Sequence, residues 1–435
     1  MGSRLPQAES VKILGVTFQA DGKFTTHTND VVRKATSAVH ALLGHGNRAW
    51  GFGVDQIRQL YEVGVVPIMT YASTVWVRPL DTVRGSGGTL SQLTKVHRLA
   101  ALRITGAYQS TATNVLNFEA GILPVDLKIF ERQQKAFVRL IALPETHPLV
   151  PVVERAKRRP VQAIPGPLHL LCRAYPDIAS AQIPRNMARD LPGSRWLQLK
   201  AEVGESKEEA IETHRTALLD SFEDTVHVYT DGSGIDGRYG AATYAANGYL
   251  VEGGYDGVKI PLGTKSTVYR AETTALHYTL ATMPAEQKAH VWSDSKALLH
   301  AINSGPASDY MVRAIQDRWE ELGDKVRISW IPGHMGVIGN EAVDEEAKEA
   351  ARMPCDEELQ EAASLKLAAA RSMWGIWQRK WDEGVTGRAL RKVNKLKVGE
   401  TRKLYRGLSR ATVSLVVQLR TGHIGLNRYL KWRKV

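Results

Sequence analysis

The order of predicted secondary-structure elements between Val226 and Arg352 constrains the fold of this chain more than any other sequence feature. Short apolar runs typical of strands alternate there with apolar patterns of helical period. Consecutive strands followed by strand–helix alternation are typical of a sheet with helices packed on it. We therefore predict a mixed α/β domain. Its predicted strands are Val226–Tyr229, Gly240–Ala246, Tyr249–Gly257, His290–Trp292 and Val326–Ile331, and its predicted helices include Val268–Met283, Tyr310–Leu322 and Asn340–Arg352.

The rest of the sequence is predicted to be mainly helical. Because the chain has 435 residues and domains usually hold about 100–200, we expect two or three units. A strand-like run at Val11–Phe18 with a turn at Ala20–Lys23 predicts a hairpin. Helical patterns follow at Gln56–Trp76, Leu90–Thr105, Asp126–Ala142, Ala362–Asp382 and Ala411–Leu419. The predicted segments are a helical region at 1–143, a proline-rich connector at 144–221, the α/β domain at 222–352 and a basic helical region at 353–435.

Charge is divided unevenly between the α/β domain and the rest of the chain. The net charge of +12 and the pI near 9.5 favour a polyanionic partner such as nucleic acid, with an anionic membrane as the rival. The segment from Phe222 to Arg352 contains 12 basic and 19 acidic side chains, so it carries −7 and the remainder carries +19. An acidic domain that acts on a polyanion needs a reason to concentrate carboxylates, and divalent cation binding supplies one.

Cysteine content and hydropathy exclude several protein classes. Cys172 and Cys355 lie far apart without a Cys/His cluster, so we predict neither a disulfide framework nor a zinc module. The most apolar stretch, Val63–Val77, is shorter than the roughly 20 residues that a membrane span needs, so no transmembrane helix is expected. The start of the chain lacks a secretory signal pattern. We therefore expect the protein in the nucleus or the cytoplasm.

Four acidic residues of the α/β domain fall where predicted elements begin or end. Asp231 ends the first strand and Asp294 the fourth, while Glu272 opens the first helix and Asp344 the last. If the two strands are neighbours, Asp231 and Asp294 project from the same edge of the sheet. Clustered hard oxygen ligands suit Mg²⁺ or Mn²⁺, which keep water ligands and share ligation with a substrate phosphate. Two such ions activate a water and stabilise the leaving oxygen of a phosphodiester.

Each carboxylate taken singly also has a purely structural explanation. Asp231 lies in an Asp-Gly-Ser turn signal, and Asp294 with Ser295 suits a helix N-cap. Glu272 and Asp344 suit the positive ends of helix dipoles. For the structural explanation to be right, it has to apply independently to all four residues of one domain. It also has to account for their order along the strands and helices. We therefore favour a shared cation site over four unrelated structural roles.

His334 lies in a glycine-rich loop between the last strand and the last helix of this domain. The loop reads Trp-Ile-Pro-Gly-His-Met-Gly from Trp330. A single loop histidine is usually only exposed. Here the glycines suit a mobile, tightly turning loop that brings a group titrating near neutrality beside the carboxylates. We therefore predict that His334 assists proton transfer or product release.

The order of these motifs resembles type 1 ribonuclease H, in the version carried by non-LTR retrotransposon polyproteins. The resemblance covers about 222–352 and implies a ribonuclease H-like fold. That fold is a five-stranded mixed sheet with helices on both faces, flanked here by mainly helical regions. The motifs are Tyr-Thr-Asp-Gly-Ser around Asp231, Arg-Ala-Glu ending at Glu272, Ser-Asp-Ser around Asp294, Trp-Ile-Pro-Gly-His ending at His334, and Gly-Asn-Glu followed by Asp344.

The resemblance also implies an activity and a set of site residues. The family cuts the RNA strand of an RNA–DNA hybrid and leaves 3′-hydroxyl and 5′-phosphate ends, recognising the 2′-hydroxyl and the duplex shape. Carried over to this chain, Asp231 would bind two Mg²⁺ ions, with Mn²⁺ as an alternative metal. Glu272 and Asp294 would complete one metal site, and Asp344 the other. The implied substrate contacts are Gly232, Ser233, Ser295 and Asn340.

The flanks resemble parts of the same kind of polyprotein. Val11–Val16 with its hairpin looks like the junction of a reverse-transcriptase palm and thumb, and Asn114–Leu143 is similar to the helical connection that follows. The tail from Gln418 to Asn427 resembles the segment that leads into a zinc knuckle. No Tyr-x-Asp-Asp motif occurs, so we expect no polymerase activity. We regard the missing palm of a parent element as a candidate partner and expect the chain to be a piece of that element.

The segment between Asn303 and Val326 has room for one helix, so the extra basic substrate-gripping helix of cellular members is expected to be absent. The basic flanks would then have to supply affinity for the hybrid.

Two other functions remain open beside a metal-dependent endonuclease. One is a non-catalytic retroelement remnant that grips a hybrid or structured RNA without cleaving it. The other is integrase-like or exonuclease chemistry on the same fold, since related metal sites use similar carboxylates. The Gly-His-x-Gly loop and Asp344 disfavour the latter.

Overall fold

The fold was analysed in a computed structural model, which contains two compact units, each built from separate stretches of chain. The first comprises residues 1–137, 156–179 and 368–435, and the second comprises 138–155 and 180–367. The units are therefore interleaved along the sequence. The region predicted as a separate C-terminal segment contributes most of its length to the first unit. The residues that the structure describes are 8–43, 50–79, 87–158, 165–188, 200–219, 225–245, 257–393 and 395–422.

The described part of the chain up to residue 219 holds a two-stranded hairpin followed by helices. A π-helical turn at Tyr61–Val65 interrupts them. The elements are β1 Ser10–Ile13, β2 Val16–Gln19, α1 Thr25–Leu43, α2 Val54–Leu60, α3 Val66–Thr70, α4 Ser73–Trp76, α5 Gly87–Thr105, α6 Thr113–Ala120, α7 Val125–Ile141, α8 Val150–Arg158, α9 Pro167–Ala174, α10 Pro176–Ser180 and α11 Lys207–Leu219.

The described part after residue 224 begins with the predicted α/β pattern and ends in helices. None of the described helices in the chain combines the length and the hydropathy that crossing a membrane requires. The elements are β3 Thr225–Ile235, β4 Arg238–Ala245, β5 Gly257–Gly263, α12 Val268–Thr282, β6 Lys288–Ser293, α13 Lys296–Asn303, α14 Tyr310–Leu322, β7 Val326–Trp330, α15 Ile338–Arg352, α16 Ala362–Glu383, α17 Arg388–Val393, α18 Thr401–Leu404 and α19 Arg410–Thr421.

The N-terminal hairpin turns earlier than the sequence pattern predicted. Ile13 pairs with Val16, so the turn is formed by Leu14 and Gly15 inside the strand-like run. Both residues have positive φ, 45° and 87°. Positive φ at both central residues is the conformation of a two-residue turn that matches the twist of paired strands, and glycine adopts it without strain. The predicted turn at Ala20–Lys23 instead leads into α1.

The helix predicted at Gln56–Trp76 is divided into α2, the π-helical turn, α3 and α4. Pro67 lies in the first turn of α3, where the fixed φ of proline suits the helix. Ala72 has a φ of 48° and separates α3 from α4. A proline and a left-handed residue therefore break one apolar pattern into short helices that still bury the same face.

The first unit has a helical core to which the C-terminal helices contribute large side chains. Trp377 and Trp381 are buried, and the Trp381 ring stacks on Phe118 with 4.2 Å between ring centroids. The fully buried carboxylate of Glu119 accepts hydrogen bonds from the Tyr405 hydroxyl and, at 3.1 Å, from Arg420 Nε. Residues of α16 and α19 therefore belong to the same core as α6.

The second unit is built on a five-stranded mixed sheet, which confirms the predicted fold class. The described strands lie in the order β5-β4-β3-β6-β7. β3, β4 and β5 are antiparallel neighbours, whereas β3–β6 and β6–β7 are parallel pairs. The predicted strand Tyr249–Gly257 falls mostly outside the described residues, and the third strand of the sheet begins at Gly257.

Helices cover both faces of this sheet. α12 packs on β3 and β4 from one side, together with α13 and α14, and α15 crosses β3, β4 and β5 on the other. Residues before the predicted start of the domain join it. The Glu202 N–H donates to Ile328 O at 2.9 Å, and the Trp330 N–H donates to Glu202 O at 2.8 Å. On α11, His214 Nε2 lies 2.7 Å from the Tyr229 hydroxyl.

Two glycines allow the covering helices to approach the strands closely. A Cβ at Gly232 in β3 would overlap the backbone of Ala271 and Glu272 in α12. A Cβ at Gly240 in β4 would overlap the backbone of α15 at Ala350 and Ala351. Such close approach of a helix to a strand is possible only where the strand residue has no side chain.

We predict that Gly240→Ala lowers the free energy of unfolding by about 2–3 kcal/mol, because α15 must move away from β4. Gly257→Ala is the matched control, since a Cβ there meets its neighbours at ordinary distances of 3.4 Å and more. Urea unfolding followed by tryptophan fluorescence measures the difference. Equal stability of the two variants would contradict the close packing of α15.

Candidate active site

The four predicted carboxylates line one cavity at the point where β6 ends and its pairing with β3 stops. The cavity has a volume of about 240 Å³. His334 and two of the predicted substrate contacts, Gly232 and Asn340, belong to the same lining, whereas Ser233 and Ser295 do not. The described lining residues are Asp231, Gly232, Val268, Glu272, Asp294, Gly333, His334, Asn340, Glu341 and Asp344.

Strand pairing places two of the carboxylates side by side. β3 and β6 are parallel neighbours, and Thr230 lies opposite Ser293. The next residues, Asp231 and Asp294, therefore lie side by side where the pairing of β3 with β6 stops. This is the arrangement that the sequence required for a shared site.

β3 itself continues to Ile235, with Asp231 opposite Ala242 of β4, so the prediction that Asp231 ends the first strand is wrong. The Gly232 N–H donates to Asp231 Oδ1 at 2.6 Å and holds that carboxylate in place.

Helix packing brings the other two carboxylates to the same place. Glu272 lies in the second turn of α12, directly above Gly232, where the close approach of helix and strand puts it beside Asp231. The Ser295 hydroxyl donates to Glu272 Oε2. Ser295 therefore orients a carboxylate from outside the cavity lining, although the sequence predicted it as a substrate contact.

The prediction that Asp344 opens the last helix is wrong by about two turns. α15 begins at Ile338, because the Glu341 N–H already bonds to Val337 O and the Gly336 N–H donates to Glu341 Oε1 at 3.1 Å. Asp344 thus lies well inside the helix, where the helix dipole no longer favours a carboxylate. The dipole explanation for this residue is therefore removed.

Burial and mutual repulsion raise the pKa values of the carboxyl groups in the cavity. Burial raises the pKa of Asp231 to about 7, and the neighbouring carboxylates of Asp294 and Asp344 add to the shift against the Gly232 hydrogen bond. Burial likewise raises the pKa of Asp294 to about 6, with Glu272 and Asp344 adding to it. Burial also raises the pKa of Glu272, opposed by the Ser295 hydrogen bond. Carboxylates held this close favour a bound cation or a shared proton.

Asn340 presents a buried oxygen without a partner to this cavity. Its side chain is 4% exposed, and its Oδ1 has no hydrogen-bond partner among the described residues. Leaving a buried acceptor unpaired costs about 1–3 kcal/mol. A donor on a bound ligand, such as a hydroxyl or a metal-bound water, would remove this cost. The preceding Gly339 has no room for a Cβ against the Tyr229 ring, which fixes Asn340 at the cavity.

The donor set fits a divalent cation that is shared with a substrate. Among the described residues, no three His, Cys, Asp or Glu side chains are arranged so that they could hold a metal ion by themselves. Mg²⁺ usually takes only one or two carboxylates from a protein and completes its shell with waters and substrate phosphates. Four carboxylates around one small open cavity match that requirement, and they do not match a closed cage.

His334 is held in an unusual backbone conformation beside Asp294. Its φ is 57°, a left-handed value that few residues other than glycine adopt. Gly333 precedes it, and a Cβ added at Gly333 would lie only 3.0 Å from Asp294 Oδ2. The loop therefore passes close to Asp294, and His334 lines the cavity with its side chain exposed.

Two charged neighbours of the site were missed by sequence reasoning. Glu341 lines the cavity and holds the loop through Gly336. Lys348 Nζ lies 2.9 Å from Asp344 Oδ2. The spacing of four residues between Asp344 and Lys348 is a signal that could have identified this ion pair from the sequence.

We predict that Asp231→Asn stabilises the metal-free protein at about pH 8 by on the order of 2 kcal/mol and has little effect near pH 4. A carboxyl whose pKa is raised from 3.8 to about 7 binds its proton more tightly in the folded state. The free energy of unfolding of wild type therefore falls as the pH rises from 3.8 to about 7. The asparagine amide does not titrate, so the variant does not lose this stability. Thermal melting in a chelator measures the effect.

Asp236→Asn is the matched control, because Asp236 is an exposed carboxylate in the same hairpin. A stability difference between the Asp231 variant and wild type that does not change with pH would contradict the assignment.

Comparison with known proteins identifies the segment that carries this site. A sequence profile described as RNase H matches residues 223–352. Two curated relatives are similar over about as many residues. Both are named as Retrovirus-related Pol polyproteins of type-1 retrotransposable elements from Nasonia vitripennis. R1 3 is 24% identical over 131 residues, 30% of this chain and 34% of that protein. R1 4 is 27% identical over 128 residues, 29% of this chain and 31% of that protein.

The matched segment thus spans about a third of the length of the curated relatives. It coincides with the sheet, with α12 to α15 and with all the residues that line the cavity. RNase H domains generally use divalent metal ions and act as nucleases. Residues 223–352 of this chain are therefore an RNase H domain, and the chain is similar to part of two retrotransposon Pol polyproteins.

Proposed function

We propose that this chain is a metal-dependent endonuclease that hydrolyses the RNA strand of RNA–DNA hybrids. The observation that carries the proposal is the convergence of Asp231, Glu272, Asp294 and Asp344 on one cavity. They come from within β3, from the residue after β6 and from two helices. Carboxylates with raised pKa values are stabilised in their charged form by divalent cations, and such cations carry the two-metal mechanism of phosphodiester hydrolysis.

The proposed metal site holds two Mg²⁺ ions, with Mn²⁺ as an alternative. Asp231 would contact both ions, Glu272 and Asp294 would complete one set of ligands, and Asp344 the other. When bound, the ions supply an activated water and charge stabilisation of the leaving oxygen.

The protein's own residues would prepare and complete the reaction. Ser295 and the Gly232 N–H keep Glu272 and Asp231 in place before any ligand arrives. Asn340 Oδ1, which has no hydrogen-bond partner among the described residues, would accept a hydrogen bond from the 2′-hydroxyl of the RNA strand and so distinguish RNA from DNA. His334, which lines the cavity, would pass a proton to the leaving oxygen or assist release of the cut strand.

The wider context of the domain is also part of the proposal. We propose that residues 1–143 correspond to a reverse-transcriptase thumb and connection, that the palm of a parent polyprotein is a partner, and that the protein acts in the nucleus or the cytoplasm. Polymerase activity is not expected of this chain.

We predict that Asp231→Asn lowers the rate of hybrid cleavage with Mg²⁺ by about 1,000-fold or more, because several kcal/mol of charge stabilisation are lost. Asp236→Asn removes the same charge from the same hairpin and should cleave like wild type. A strand-labelled hybrid shows which strand is cut.

Cutting confined to the RNA strand, dependent on metal and lost in the Asp231 variant, supports the proposal. Binding of the hybrid without any cleavage by wild type would instead favour the non-catalytic remnant. Cleavage of the DNA strand would favour integrase-like or exonuclease chemistry.

We predict that His334→Asn lowers multiple-turnover cleavage by about tenfold or more, because an amide cannot carry the proton that an imidazole transfers. Asparagine tolerates the left-handed backbone conformation, so the loop should keep its shape. His300→Asn on the exposed face of α13 is the control.

Single-turnover and multiple-turnover rates separate the two roles proposed for His334. A fall in both assigns proton transfer, and a fall in the multiple-turnover rate alone assigns product release. Unchanged rates in both assays would exclude His334 from the reaction.

A further inference from the structure

The C-terminal part of the first unit carries an unusual concentration of basic side chains. Between residues 384 and 409 the sequence contains eight Lys or Arg residues and one acidic residue, Glu400. The structure divides these cations into two groups with different environments. One group is tied to the protein, and the other faces solvent.

The first group anchors the segment to the helical core. Arg391 donates to Thr386 O at 2.8 Å and to Gly384 O, and its guanidinium lies over the Trp381 ring. Arg402 Nε donates to Gly121 O at 2.8 Å. These two side chains hydrogen-bond to backbone carbonyls and are only partly exposed. They fix the backbone on which the remaining cations are carried.

The second group, which we call the C-terminal basic strip, consists of exposed cations. None of them forms an ion pair with a carboxylate in the described part of the chain. Exposed like charges that are not interspersed with carboxylates repel one another unless a polyanion binds them. The C-terminal basic strip is Arg388, Lys392, Lys395, Lys397, Lys403 and Arg406.

Several lysines of the RNase H domain are instead paired with carboxylates. Lys259 lies 2.8 Å from Glu346, Lys325 lies 2.8 Å from Glu286, and Lys348 contacts Asp344. These lysines are neutralised by neighbouring carboxylates. The domain as a whole carries −7, so it contributes little electrostatic attraction for a polyanion, although its proposed substrate is one.

We propose that the C-terminal basic strip binds the phosphate backbone of an RNA–DNA hybrid and supplies affinity that the acidic RNase H domain lacks. The strip is spread over α17, α18 and the residues between and after them, which suits a ligand with repeating charges better than a single small anion. α17 has six residues and α18 four, too short for the amphipathic helix that membrane-surface binding normally uses. The choice of a hybrid rests on the proposed function.

The test compares two full-length variants with equal changes in charge. The strip variant carries Lys392→Glu, Lys395→Glu, Lys397→Glu and Lys403→Glu. The control variant carries Lys34→Glu, Lys95→Glu, Lys207→Glu and Lys288→Glu, four exposed lysines on four different elements. Fluorescence anisotropy with a labelled hybrid in a chelator measures binding without cleavage, and thermal melting confirms that both variants are folded.

The strip variant should bind the hybrid about 30-fold more weakly than wild type. The negative slope of log K against log salt should become smaller in magnitude by about 3.6, at roughly 0.9 for each of four lost phosphate contacts. The control variant should stay within about threefold of wild type. Equal loss in both variants, which indicates net charge alone, would overturn the proposal, and so would no loss in either. Loss of binding only to phosphatidylserine vesicles, with hybrid binding intact, would overturn it as well.

Cleavage separates this inference from the proposed function. With Mg²⁺ and saturating protein, the strip variant should keep the single-turnover rate of wild type and lose only kcat/KM. If wild type binds the hybrid through the strip and does not cut it, the proposed nuclease function is wrong and the proposed role of the strip is supported. If wild type cuts the hybrid and the strip variant binds like the control, the proposed role of the strip is wrong and the proposed nuclease function is supported.

Discussion

The close packing of two helices against the central strands is the constraint on which the rest of the site depends. Gly232 lets α12 pass directly over β3, and Gly240 lets α15 do the same over β4 on the opposite face. Because no side chain separates helix from strand, carboxylates from two helices reach the point where the pairing of β3 with β6 stops. The cavity, the raised pKa values and the proposed cation site all follow from this short distance.

Sequence reasoning predicted the chemistry of the site better than its geometry. The parallel pairing of β3 and β6 was required if Asp231 and Asp294 were to meet, and the strand register meets that requirement. Asp344 was misplaced, because the start of α15 depends on a hydrogen bond from the Gly336 N–H to Glu341 that a propensity pattern does not reveal. The roles of the four carboxylates as metal ligands stay predictions, since the match to RNase H identifies the domain and tests no residue.

The fold was predictable where local patterns decide and less so where long-range contacts do. The mixed sheet and the bounds of α14 followed from apolar periodicity. The hairpin turn at Leu14 and Gly15 was missed, because the strand-like run continues across it and only pairing shows where it reverses. The assignment of α19 to the first unit depends on contacts such as the one between Arg420 and Glu119, about 300 residues apart in sequence.

Metal binding at the carboxylate cavity is the central claim, and Mn²⁺ binding followed by electron paramagnetic resonance tests it most directly. We expect wild type to bind Mn²⁺ weakly alone and much more tightly with a hybrid whose RNA strand cannot be cleaved, because the phosphate completes the coordination shell. Asp231→Asn should abolish this gain. Equal Mn²⁺ binding by both proteins, with or without the hybrid, would contradict a cation site shared between these carboxylates and the substrate.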